Sequence, residues 1–365
     1  MKSIKGGSLL RLVAFFVIAA ILTCTVSFAA GGWQSFLDNE PDSDDAADSY
    51  TDGDVDENID GSTENDSEAV IKPILKHYLT GIEITAAEAG CAPISFIYSA
   101  SDPIYGISSA FLTVEIPTEN GETRYLSLFS GSTYLGKIGS LSPTRGYINN
   151  ISGALGAELV YRGNDDSFSY SHSEPIGIDI TQNSGYSYTE YSEYHYTNSD
   201  LVTAMIKNCG ASQIQKSDVK APFIHAESEI RGSETAMNIV IPYSESNTTQ
   251  LAYHAIEGKY TLYKGSNAVK DLLNDRTVTY DNAFILFSDA TTFETEDATE
   301  TVFDTNGGGS GYYFTRGTAF KITWSADKDG NLSFYNDMGG LLSVNVGTSY
   351  IAFERSSRIN TVIYK

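Results

Sequence analysis

From Asp38 to Glu68 the chain carries fourteen acidic residues and neither lysine nor arginine. Serine, asparagine and glycine fill much of the remainder, and large apolar side chains are almost missing. A stretch like this buries too little surface to offset the entropy of ordering, and its like charges repel. Residues 38–68 are therefore expected to form a disordered acidic linker, and a packed core must be sought after them. Asp52-Gly53-Asp54-Val55-Asp56 has a calcium-loop start, but the sixth position, which such a loop needs as glycine, is Glu57.

Before the linker, Lys2, Lys5 and Arg11 precede nineteen uncharged residues from Leu12 to Ala30. Positive charge, then an apolar run, then small residues is the order of a secretory signal or an N-terminal anchor, assigned here to residues 1–37. Ser27-Phe28-Ala29 offers a cleavage site, while an uncut run is just long enough to span a bilayer. A third reading takes Ile21-Leu22-Thr23-Cys24 as a lipid-attachment signal, with Cys24 lipidated. All three place the remainder outside the cytoplasmic membrane, secreted or tethered to it.

The formal net charge is −24. Residues 1–37 contribute +3 and residues 38–68 contribute −14, which leaves −13 for residues 69–365. That surface would repel phosphates, so a nucleic-acid partner and a polybasic grip on lipid are both excluded. Three cysteines make no disulfide framework, although Cys91 and Cys209 could pair outside the cell. The remaining length of about three hundred residues favours two domains.

The segments Ile94–Tyr98, Phe111–Ile116, Tyr125–Phe129 and Leu159–Tyr161 are rich in β-branched and aromatic residues, as strands are. Two helices are expected among them. One runs from Arg145 to Leu155 and the other follows Ser199 as far as Asn208, before Gly210. After residue 230 the pattern becomes short strands between glycine turns. The strands are Leu251–Ala255, Tyr260–Tyr263, Phe320–Trp324, Leu332–Tyr335, Leu341–Val346 and Tyr350–Phe353. The expected class is α+β: a mixed α/β domain over 69–230, then a β-rich domain over 231–365. Asn306 to Gly311 reads as a flexible turn, since it lacks the Lys-Ser/Thr of a phosphate loop.

Glu115-Ile116-Pro117-Thr118-Glu119-Asn120-Gly121-Glu122-Thr123-Arg124 resembles a block of the YerB-like family of bacterial envelope lipoproteins. Ile138-Gly139, then Arg145 and Tyr147, resemble that family's next block. Gly309 to Phe314, Trp324, Asp337 with Gly339, and Gly347 to Phe353 extend the similarity through residues 90–365. The resemblance implies an envelope location and a two-part fold, and it implies no activity. This chain has Ser142 and then Arg145 where the family pattern carries two arginines. It has Tyr161 in place of a histidine, and Gly163-Asn164 in place of a glycine pair.

The residues selected as a candidate anion site are Arg124, Arg145, Glu115 and Glu119. A guanidinium fork binds carboxylate or phosphate at two points, and helix N-termini favour anions. The competing reading of the same four residues is an internal salt-bridge network. Tyr186, Tyr188, Tyr191, Tyr194 and Tyr196 flank His195 and offer either a stacking surface or internal packing. Asp327-Lys328-Asp329-Gly330-Asn331 looks like a calcium loop or a hairpin turn. The five histidines show no metal spacing, no nucleophile motif occurs, and no cofactor is implied. The expected role is a non-catalytic binding or scaffolding module of the cell envelope. It would meet the membrane through its N-terminal segment, and an envelope polymer or another envelope protein through its body. The alternative is an enzyme acting on envelope glycans or phosphate-containing polymers.

Overall fold

Strand Asn282–Ser288 is buried along its whole length, and a strand with no polar face needs cover on both sides. The computed structural model describes residues 74–163, 177–181, 185–190, 194–209, 219–294 and 299–365. Cys24, the apolar run, the acidic linker, Tyr191, His172, Asn164 and the Cys209 side chain lie outside the described residues.

The first-half strands are β1 (Ile94–Ser99), β2 (Leu112–Pro117), β3 (Thr123–Phe129), β4 (Glu158–Tyr161) and β5 (Ile178–Asp179). From the second half come β6 (Glu234–Thr235), β7 (Asn238–Pro242), β8 (Thr248–His254), β9 (Lys259–Lys264) and β10 (Asn282–Ser288). They are followed by β11 (Ala290–Glu294), β12 (Thr299–Phe303), β13 (Gly308–Thr315), β14 (Thr318–Ala326), β15 (Leu332–Tyr335), β16 (Ser349–Arg355) and β17 (Ile363–Tyr364). The longer helices are α1 (Gly146–Ala154) and α2 (Ser199–Cys209). The described chain is thus strand-rich and mostly β.

An eleven-stranded sheet in the order β6-β14-β13-β10-β16-β2-β3-β1-β4-β5, with β15 beside β14, takes strands from both sides of residue 230. The halves join where β16 lies parallel to β2, with Ser349 opposite Leu112 and Ala352 opposite Glu115. Period-two alternation sends side chains to two apolar layers. Leu112, Val114, Ile116, Phe284, Leu286, Ile351 and Phe353 belong to one layer, to which α1 contributes Tyr147, Ile148 and Ile151. Ala283, Ile285, Phe287, Tyr350 and Ala352 face a second, six-stranded sheet that contains β9, β8, β7 and β17.

The strands expected in the first half are β1 to β4, and the helices fall where the apolar spacing puts them. The Asn198 side chain accepts from the Leu201 N–H at 2.9 Å and so caps α2. The glycine run differs from expectation. Gly308 to Gly311 lie within β13 and are no flexible turn. A Cβ at Gly309 would sit 2.0 Å from the Phe287 carbonyl oxygen and one at Gly311 2.5 Å from that of Ile285, so close backbone approach requires glycine here.

Candidate functional site

Glu115 lies on the face of β2 that meets the second sheet, and it is fully buried. Thr123 donates to its carboxylate at 2.6 Å and Thr249 at 2.8 Å, and Tyr350 and Lys264 donate as well. Lys264 also donates to Thr123 and Thr249, at 2.8 and 2.9 Å. A carboxylate out of water needs this dense partnering, and here it ties β2 and β3 to β8, β9 and β16.

Arg124 faces the other way. It is opposite Ile116 in the β2–β3 register, so it shares the helix-side layer and donates to the Pro143 carbonyl at 2.7 Å. Arg145 stands at the N-cap of α1, nearly fully buried. Its guanidinium grips Glu119 at 3.0 and 3.4 Å and donates to the Thr144 carbonyl at 3.1 Å. The four selected residues therefore separate into a Glu115–Lys264 cluster, a Glu119–Arg145 pair and Arg124. They do not converge on one cleft, because the strand period puts Glu115 and Arg124 on opposite sheet faces.

A pocket of about 380 Å³ opens beside the Glu115 cluster, lined by Pro117, Thr118, Gly121, Tyr243, Glu354, Arg355, Ser357 and Arg358. Glu354, the last residue but one of β16, shares a face with Glu115, and its side chain is 2% exposed. Oε1 accepts from the Arg355 N–H at 2.8 Å and lies 3.5 Å from Arg358 Nε. Oε2 and Arg358 Nε have no hydrogen-bond partner, and the buried Tyr243 hydroxyl faces Tyr350 without a hydrogen bond of ordinary geometry. Burial pushes the Glu354 carboxyl up to about 7, against the opposing pull of the Arg355 amide and the two arginines. Burial likewise drives the Tyr243 and Tyr350 hydroxyls well above their usual range, with Glu115 adding to it. Arg355 is held from behind by Thr301 at 3.0 Å and Thr292 at 3.4 Å, on the β11–β12 hairpin.

The other candidates are occupied internally. Tyr196 is buried and Lys137 sits 4.0 Å from its ring centroid and 3.9 Å from that of Tyr105, which is the packing reading of the tyrosine cluster. The Asp327 carboxylate accepts from the Asp329 and Asn331 amides at 2.9 and 3.0 Å, the bonding of a hairpin turn. Cys91 donates to the Ala87 carbonyl at 3.3 Å. Burial holds His77 down at about 4, with His225 adding to the effect. Among the described residues no group of three or more His, Cys, Asp or Glu side chains could hold a metal ion.

The pocket draws on both segments that match known families. Residues 79–201 match the N-terminal domain, and residues 239–351 the C-terminal domain, of "Protein of unknown function (DUF3048)". The chain belongs to the DUF3048 family. The crystal structure of YerB from Bacillus subtilis is similar in fold to this DUF3048 protein, with a TM-score of 0.69 at 17% identity. The likeness covers 80% of this chain and 99% of that one. No curated protein matches. Pro117 to Gly121 come from the N-terminal match and Tyr243 from the C-terminal one, while Glu354, Arg355, Ser357 and Arg358 lie just beyond it. Sequence reasoning passed over those last residues. The available signal was a lone glutamate ending the apolar run from Tyr350 to Phe353, with an arginine four residues on.

Proposed function

We propose that the chain is an extracytoplasmic protein, membrane-tethered or exported, and a non-catalytic binding or scaffolding module of the bacterial cell envelope. The Glu354 pocket is its ligand site. The positive start, apolar run and acidic linker support the location. One observation carries the binding role. Glu354 Oε2 and Arg358 Nε, both buried and both without a hydrogen-bond partner, meet at a single pocket. Each such group costs about 1–3 kcal/mol, which a bound ligand would recover. In this reading 69–230 and 231–365 are the two parts of an α+β body, and the site forms where they meet.

Thermal-shift titration of the chain with soluble peptidoglycan fragments and anionic envelope polymers tests the proposal. Stabilisation by one of them, lost in Arg358→Ala while that variant still melts cooperatively, is the expected outcome. The alternative, an enzyme of envelope glycans or phosphate-containing polymers, draws on the near-neutral Glu354 carboxyl, which suits a general acid. Turnover of such a polymer that disappears in Glu354→Gln would overturn the binding reading in favour of the enzyme.

A further inference from the structure

We propose that the Glu354 pocket takes an anionic, hydroxyl-bearing ligand, its phosphate or carboxylate met by Arg358, with the Glu354 carboxyl donating a hydrogen bond. This inference rests on the pocket's being the binding site.

Local charge is the first argument. The whole chain has 47 acidic and 23 basic residues, yet the charged residues lining this pocket are two arginines and one glutamate. An acidic protein whose concave site is bordered by two arginines and one carboxyl that keeps its proton presents that site to an anion. The Arg355 fork is engaged by Thr292 and Thr301, and its positive charge reaches the Glu354 carboxyl from beside the pocket. Arg358 donates to the Pro242 carbonyl through one terminal nitrogen, while its Nε, 3.5 Å from Glu354 Oε1, makes no hydrogen bond. Ser357 and Tyr243 add hydroxyls that can exchange hydrogen bonds with a polyol.

Glu354 is the second argument. An ionised carboxylate there would repel the anion, whereas the protonated group offers an O–H. The groups facing it are the Arg355 amide and guanidinium, the Arg358 guanidinium, Glu115 from β2 and Tyr243 from the segment after β7. Thr118 and Gly121, on the remaining wall, do not titrate. With Arg358 drawn toward a ligand anion, and the anion's own charge nearby, the carboxyl's ionised form loses the cation paired with it. Binding therefore takes up a proton at pH values where the empty site is ionised.

Calorimetry of the full chain tests this, with glycerol 3-phosphate, glucuronate and neutral N-acetylglucosamine as probes, in buffers of different ionisation enthalpy. At pH 8 about one proton per anion bound is expected, and at pH 5.5 none, because the empty carboxyl is already protonated below about 7. Arg358→Gln should weaken anion binding roughly tenfold or more. Glu354→Gln, whose amide still donates, should bind the anion and lose the proton uptake. The two anionic probes show whether phosphate or carboxylate is the better fit, and either supports the proposal. Neutral sugar bound as well as the anions, or anion binding without proton uptake at pH 8, would overturn it while leaving the pocket a binding site. No binding by any probe, together with no stabilisation by envelope polymers, would end both readings. The proton count on the unaltered chain decides the matter even if a variant fails to fold.

Discussion

At Glu354 the native fold works against its own stability, and the sign can be derived. The native carboxyl keeps its proton up to about pH 7, whereas an ordinary glutamate loses it near 4.5. Stability from this group is therefore complete below 4.5 and lost as pH rises through 7. Replacing Glu354 by Gln removes the ionisation and keeps an acceptor for the Arg355 amide. Glu354→Gln should thus stabilise the protein at pH 8 by about 1–3 kcal/mol and leave stability at pH 4 nearly unchanged. Denaturant titrations at the two pH values check this, and an equal gain at both would show a packing effect instead. A residue kept at such a cost is more easily explained by ligand binding than by folding. In the sequence Glu354 is one glutamate among many, because nothing in the local pattern says that its strand lies under a second sheet.

The same hidden cover explains which elements were legible and which side chains were misplaced. Leu112-Thr113-Val114-Glu115-Ile116 alternates as a strand does, and β2 is where that alternation predicts it. Alternation with Thr and Glu normally marks a face open to water, and here the face carries β8 and β9 above it. Local pattern thus recovers the strand but not the partners that Thr249, Lys264 and Tyr350 supply from more than a hundred residues away. Of the four selected residues, Glu119 and Arg145 do meet, as a buried pair between the turn after β2 and the start of α1. Their role is to hold those two elements together, because both charges are spent on each other. Arg145→Ala would leave Glu119 largely buried and short of its cation, at a cost of about 3 kcal/mol. Ligand binding at the Glu354 pocket should be unaffected. A large affinity loss in a still-folded Arg145→Ala protein would instead return Arg145 to the site.

For the molecule as a whole, the change of pattern near residue 230 is real in the sequence, and the two family matches fall on either side of it. Hydrogen bonding nonetheless continues across that boundary, since β16 fits parallel between β2 and β10 in the largest sheet. Its partner Leu112 is more than two hundred residues from Ser349, a separation that no window-based reading spans. The Glu115–Lys264 ion pair crosses the same boundary, and the fully buried Glu115 carboxylate on one side needs the half-buried lysine on the other. Separated at residue 230, the first half would present β2 and the second half β16 as sheet edges, each paired on one side only and stripped of the cover that buries both its faces. Residues 69–230 and 231–365 expressed singly should therefore aggregate or remain unfolded, and co-expression should yield a single complex that binds at the Glu354 pocket. Size-exclusion chromatography and amide hydrogen exchange would show this. A monomeric half with a cooperative melting transition of its own would mean that the β2–β16 seam joins two self-sufficient domains. In the expected case the pocket exists only in the joined fold, because Pro117, Thr118 and Gly121 reach it from one side of the seam and Tyr243, Glu354 and Arg358 from the other.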